Sequence, residues 1–281
     1  MKYLRTAALT TTAMLATVLP VAAPSAWAED RATFNAPRTV TQQPGHPLVL
    51  FPRRQGTVVA YCPQGTKPTG GGATVETDPV SAVYLTESMP VDGNRWRVRV
   101  YNSSDEVHTV HPRVVCTTDP TITYQAGPDQ PIQPGESAEY STADCGSQYT
   151  VGGGGQAGSM TFLSMLDVPG TPMARRWNAR AKYTVYDPDA PLSYVRAHVS
   201  CSDSQPAYGF SRVLKLAPGA VGTVRAECPA GRVPTGGGAS GSPVVLFNES
   251  GPTDTGWEVR ATNTDFDAER NLFATVMCTA P

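Results

Sequence analysis

Twelve residues, CPQGTKPTGGGA at 62–73, return as CPAGRVPTGGGA at 228–239 and more loosely as CGSQYTVGGGGQA at 145–157. Their opening cysteines, Cys62, Cys145 and Cys228, are each 83 residues apart. Glycine triplets begin eight residues after each: Gly70-Gly71-Gly72, Gly153-Gly154-Gly155 and Gly236-Gly237-Gly238. Other landmarks keep the same order. GTVVAYC (56–62) matches GTVRAEC (222–228), and ESMP (87–90), LDVP (166–169) and ESGP (249–252) follow the glycines. Then come one tryptophan per unit (Trp96, Trp177, Trp257) and a closing cysteine (Cys116, Cys201, Cys278). Coincident landmarks at one long period mark a repeat architecture, in which each copy is one structural unit that buries its apolar face against its neighbours.

What precedes the repeats reads as a leader. Lys2 and Arg5 stand before an apolar run that ends at Ala26-Trp27-Ala28, the pattern of a secretory signal peptide over residues 1–28. Residues 29–45, with their Pro, Gln and Thr, read as a loose N-terminal arm, followed by repeats at 46–118, 119–203 and 204–281. No later stretch approaches the roughly 20 apolar residues of a spanning helix. Two of the 22 Lys and Arg lie in the leader, so 20 basic residues face 24 acidic ones and the exported chain carries −4. That balance gives no electrostatic footprint for nucleic acid or anionic lipid. All six cysteines lie beyond the leader, and an even count in an exported chain points to disulfides and an extracellular location. Six cysteines allow 15 connectivities. One pair per unit is the simplest arrangement that repeats: Cys62–Cys116, Cys145–Cys201 and Cys228–Cys278. Metal binding fits poorly, because there is no C-x-x-C and no histidine at ligand distance from a cysteine pair.

The local signals are those of strands. With 26 Gly and 26 Pro, no 12-residue window keeps a clean helical period. RWRVRVYN (95–102) alternates strictly, with Trp96, Val98 and Val100 on one face and Arg95, Arg97 and Arg99 on the other. RWNARAKY (176–183) and WEVRATN (257–263) do the same. Each tryptophan shares its face with Val or Ala, which marks it as core; exposed, it would be a platform for sugar. The fold class is therefore all-β: three tandem antiparallel units of five or six strands. They either pack into one pseudo-threefold body like a β-prism or follow one another as β-sandwich modules. Immunoglobulin order is excluded, since there the tryptophan follows soon after the first cysteine, and here it comes 34, 32 and 29 residues later. The connections keep apolar residues (ITYQ at 122–125, YGFSRVLKL at 208–216) in place of Gly/Ser linkers, which favours packed units.

The units resemble the tandem Cys-Pro-x-Gly…Gly-Gly-Gly…Trp…Cys repeats of a group of exported actinobacterial proteins, over nearly all of residues 46–278. Most such proteins have no assigned activity, so the resemblance implies export and architecture more than function. A fainter resemblance, carried by the Cys-Pro-x-Gly openings, is to vitelline membrane outer layer protein I. It is a pseudo-threefold β-prism with shorter repeats and no glycine triplet.

Candidate sites are few. GTKPTGG (65–71) has the outline of a phosphate loop, but Gly71 stands where Lys is required, and Pro68 removes a backbone donor. The glycines therefore read as the signature turn of a β unit, allowing a bulge or close backbone approach. Arg99, Arg180 and Arg260 each lie three residues after their tryptophan on the polar face. They suit cross-strand ion pairs or, more sharply, a threefold set of anion or glycan contacts. The histidines (His46, His108, His111, His198) form no recognisable catalytic motif, and no cofactor is expected. The expected function is a secreted, non-catalytic binding or structural protein of the extracellular space or cell envelope, with a glycan or cell-wall partner held multivalently. One alternative is an inhibitor or partner of a secreted protease acting through the basic loop FPRRQG (51–56); another is a hydrolase with an unrecognised site.

Overall fold

The computed structural model describes residues 38–76, 82–91, 93–137, 139–168 and 175–281. The leader (1–28), the first part of the arm and Pro169 of the LDVP landmark lie outside the described residues. Among the described residues every regular element is a strand, as the alternating apolar pattern requires.

Each unit supplies seven strands, against the five or six expected. The first contributes β1 (Val40–Pro44), β2 (Leu48–Leu50), β3 (Gln55–Tyr61), β4 (Lys67–Val75), β5 (Val83–Val91), β6 (Arg95–Asn102) and β7 (His108–Thr117). The second contributes β8 (Thr123–Ala126), β9 (Gln130–Ile132), β10 (Ser141–Asp144), β11 (Tyr149–Ala157), β12 (Thr161–Asp167), β13 (Arg176–Tyr183) and β14 (Ser193–Ser202). The third contributes β15 (Ala207–Phe210), β16 (Leu214–Leu216), β17 (Val221–Glu227), β18 (Val233–Gly241), β19 (Val245–Pro252), β20 (Gly256–Asn263) and β21 (Arg270–Thr279). One strand missing from the sequence reading is β1. Val40–Pro44 was expected in a loose arm, yet it pairs with β7 from Val40↔Thr117 to Pro44↔Arg113.

The strands build three seven-stranded sheets, each shared between two units. The first sheet runs β1-β7-β4-β19-β20-β17 with β2 on β7; the second runs β3-β6-β5-β11-β14-β8 with β9 on β14; the third runs β10-β13-β12-β18-β21-β15 with β16 on β21. Every sheet takes four strands from one unit and three from another, and the third unit closes the ring onto the first. That sharing makes one pseudo-threefold body, like a β-prism, and not a row of sandwiches.

The two halves of each sheet meet at a narrow seam. β4 and β19 pair only at Ser250↔Ala73, β5 and β11 at Gly155↔Ser88 and Gln156↔Glu87, and β12 and β18 at Met165↔Ser240 and Leu166↔Ala239. The glycines explain how the seams come so close. A Cβ on Gly70 would stand 2.7 Å from the Gly236 Cα, and one on Gly71 2.5 Å from Trp96 Cγ. On Gly72 it would fall on the Ser250 carbonyl oxygen. None of these three has a positive φ. Their value is the missing side chain, and they sit inside β4, not in a turn. The true turn is upstream, where Gly65, Gly146 and Gly231 have φ of 81°, 63° and 74°. In the second unit this turn begins at Cys145 itself (Gln148 N–H to Cys145 C=O, 3.1 Å), whereas in the first it begins at Pro63. The second unit is therefore one residue shorter there, and its equivalent triplet is Gly152–Gly154, not Gly153–Gly155. Gly152 meets the Thr69 carbonyl, Gly153 the Trp177 ring and Gly154 the Ser88 carbonyl. A register shift sits just before each triplet, between Pro68 and Gly70, Thr150 and Gly152, and Pro234 and Gly236, as a β-bulge does.

Trp96, Trp177 and Trp257 are among the largest fully buried side chains, as their apolar faces required. Trp96 and Trp257 donate to Ser88 Oγ (3.0 Å) and Ser250 Oγ (2.9 Å). In the second unit Leu166 takes the place of that serine, and Trp177 donates to the Gly154 carbonyl instead (3.0 Å). The disulfides are Cys62–Cys116, Cys145–Cys201 and Cys228–Cys278. Each ties the strand before the bulge to the last strand of its unit.

Candidate functional site

The seams leave troughs on the outer faces, and two of these hold cavities. The larger, about 630 Å³, lies on the second sheet and is lined by Met89 and Pro90 of β5, Arg95 and Arg97 of β6, Tyr124 of β8 and His198 of β14. It therefore spans the seam, drawing side chains from the first and second units. The smaller, about 450 Å³, lies at the first sheet, beside Gln42, Gln43 and Arg113, with Pro234 and Asp254 opposite.

The same three positions are filled differently around the body. Pairing with the last glycine of each triplet places His198, Arg113 and Thr275 in equivalence. Equivalent register on the neighbouring strand aligns Tyr124, Gln42 and Tyr208. On the other side of the seam Arg97, Glu258 and Asn178 correspond. The second sheet thus combines an imidazole, a phenol and a guanidinium. In the first sheet the Gln42 amide reaches across to the Thr253 carbonyl (2.7 Å), bridging the trough.

Strand alternation puts Arg95, Arg97 and Arg99 in a row on the outer face of β6. Glu87 lies beneath them, fully buried, in contact with the Arg97 Nε and 3.5 Å from the Arg99 Nη2. One carboxylate thus sits under two guanidinium groups that remain about a third exposed. Across the trough Arg196 makes a two-pronged contact to Asp129 (2.7 and 2.8 Å). His198 is held neutral: burial, then Arg196 and Arg97, lower its pKa to about 4. Its Nε2 is buried and makes no hydrogen bond. Tyr124 is fixed by its hydroxyl, which donates to the Pro68 carbonyl (2.9 Å), and burial raises its pKa.

The three arginines singled out in sequence lie on three different sheets. Arg99 faces Glu87, and Arg260 faces Glu249 at 3.9 Å. Where the other units have Glu opposite this arginine, the second has Met165, so Arg180 turns to the Gly241 carbonyl and the Tyr140 ring. Burial lowers the Arg180 pKa. They do not converge on one surface.

The other sequence candidates are scattered. His108 is buried against Ser104 Oγ (3.0 Å), His111 contacts Glu76 at the surface (3.0 Å), and His46 is exposed. Among the described residues no cluster of His, Cys, Asp and Glu could hold a metal ion, and no helix is long and apolar enough to cross a membrane. The FPRRQG loop is a tight turn. Arg53 has φ 55° and pairs with Asp105 (3.0 Å), and the Asn102 side chain binds the Leu50 and Phe51 carbonyls beneath it. Gly135 and Gly219 take the Arg53 place in the other units, also with positive φ. This geometry is not the extended segment that a protease cleft accepts.

Sequence reasoning missed Arg95, Arg97, Tyr124 and His198 as a group because it looked for what repeats. The signal was available in the opposite place, at the aligned positions where the three units differ. No family model matches the chain, and no curated protein matches it.

Proposed function

We propose that this chain is a secreted, non-catalytic binding protein of the extracellular space or cell envelope that holds glycan or cell-wall polymer on the outer faces of its sheets. One observation carries the reading: two outer cavities of about 450 and 630 Å³ mix apolar walls with arginine on a scaffold closed into a ring and crosslinked three times. Sites of this size and make-up, within the roughly 300–1,000 Å³ typical of ligand pockets, hold small ligands or segments of polymer. A scaffold fixed in this way holds its site before the ligand arrives, so little ordering entropy is lost on binding. Three disulfides suit an oxidising environment, in keeping with the signal peptide expected at 1–28 and with the exported actinobacterial proteins that the repeats resemble. Three outer faces on one body also allow several contacts with one polymer, which raises avidity.

A glycan array combined with a cell-wall pull-down tests the proposal, using the disulfide-bonded protein. Retention on at least one polysaccharide is expected. No retention on any, by protein whose near-UV dichroism shows intact packing, overturns it.

A further inference from the structure

We infer that the trough on the second sheet is a single site for an acidic polysaccharide, whose carboxylates lie along the Arg95–Arg97–Arg99 row while its hydroxyls meet His198. The inference rests on the glycan-binding reading and adds to it both the ligand's charge and the place where it binds.

Charge comes first. The chain as a whole is acidic, yet three arginines follow one another on one outer face of β6. Neighbouring side chains on that face are about 7 Å apart, two residues of a strand. Such a row matches a linear polymer with regularly spaced anions better than one compact ion. Glu87 engages Arg97 and Arg99, and a guanidinium has five donors, of which Glu87 engages only some. The equivalent outer rows are Arg176, Asn178 and Arg180 on β13, and Gly256, Glu258 and Arg260 on β20. Neither repeats the run of three arginines.

The rest of the trough fits a sugar. His198 Nε2 is buried without a hydrogen bond, a state that costs about 1–3 kcal/mol for a typical polar group unless a ligand or water satisfies it. A neutral imidazole can accept from or donate to a hydroxyl. Met89, Pro90 and Tyr124 supply apolar walls, and the Tyr124 ring is held in place through Pro68. The site therefore offers cations on one bank, one polar group on the other and apolar surface between. The other two troughs lack this set, so the binding is one-sided in a threefold body.

The test uses the full disulfide-bonded chain, titrated by calorimetry with polygalacturonate oligomers, neutral dextran oligomers and single-stranded DNA of similar length. Polygalacturonate should bind, with affinity falling steeply between about 0.05 and 0.5 M salt as screening shortens. Arg95→Ala and His198→Ala should each weaken it at least about tenfold, as loss of a charge-assisted or buried hydrogen bond does. Val59 of β3 also lines this cavity, so Val59→Glu adds a negative charge to the trough wall, should weaken binding at least as much, and covers the case where His198→Ala fails to fold. Arg225→Ala, on the first sheet, should leave affinity unchanged. Equal binding of dextran overturns the acidic class, and equal binding of DNA overturns sugar recognition. Polygalacturonate binding untouched by all three trough variants overturns the site. Each of those results differs from failure on every polysaccharide, which would remove the glycan-binding reading itself.

Discussion

Two glycines seven residues apart make a sharp test of why the repeat carries its glycines. Gly65 and Gly72 belong to the same 12-residue motif. Gly65 has φ 81° and nothing within 4 Å of an added Cβ, so Gly65→Ala meets only backbone strain. An L-residue in that region costs about 1 kcal/mol. Gly72 has no such φ, but its Cβ would fall on the Ser250 carbonyl oxygen, backbone of the strand across the seam. Overpacking costs about 1–3 kcal/mol when side chains can shift, and occasionally more. Here no side chain can yield, and the seam hangs on the single pair Ser250↔Ala73, so Gly72→Ala should cost about 3 kcal/mol or more. For a body of this size 1 kcal/mol moves the midpoint by about 2–4 °C. Thermal unfolding followed by circular dichroism, with disulfides intact, should place Gly65→Ala about 2–4 °C below wild type and Gly72→Ala about 6–12 °C below. If Gly72→Ala melts within about 2 °C of wild type, or no lower than Gly65→Ala, the close-approach account of the triplet is refuted.

Asp167 is buried, and burial, only partly offset by Thr275 and the Val168 amide, raises its pKa from 3.8 to about 6. Its protonated form therefore stabilises the fold below about pH 4, and that stabilisation is lost as pH rises through about 6, a difference of about 3 kcal/mol. Urea unfolding of Asp167→Asn should match wild type near pH 4 and exceed it at pH 7; no gain at pH 7 would contradict this. Replacing Cys145 and Cys201 together by Ala, which opens a 56-residue loop, should cost about 3–4 kcal/mol by urea unfolding, and no loss would deny the crosslink a role in stability. Arg53→Gly should raise the melting temperature by about 2–4 °C, since a φ of 55° suits glycine and the exposed pair with Asp105 contributes little. A lower melting temperature would mean that the Asp105 contact matters more than the strain.

The sequence carried most of the framework and little of the site. Strict alternation in RWRVRVYN placed Trp96 inside and the arginines outside, because only one face of a half-buried strand can hold a ring that large. The cysteines could be paired because a repeat admits few repeating solutions. β1 escaped notice, since Val40–Pro44 gains its order from β7, more than 65 residues away, and has no pattern of its own. The glycine register slipped by one in the second unit because four glycines in a row, Gly152 to Gly155, give no landmark, and only contact with Trp177 fixes which one is central. The trough was illegible for a related reason. Arg97 and His198 are 101 positions apart, and it is the seam between β5 and β11 that brings them to one cavity.

Sharing each sheet between two units also sets the order in which the body can be completed. The second sheet needs only β3 to β14, so it can assemble once the first two units exist. The first sheet cannot, because β1, β2, β4 and β7 wait for β17, β19 and β20 from the end of the chain. Until those strands arrive, β4 offers an open edge bearing Gly70 to Gly72, a flat, side-chain-free stretch of backbone. An open edge of this kind recruits other chains. The same glycines that let the finished ring close are its exposed flank while it is unfinished. Newly made chains are therefore safest when kept extended until the last unit is available, and a chain cut after the second unit should associate through that edge.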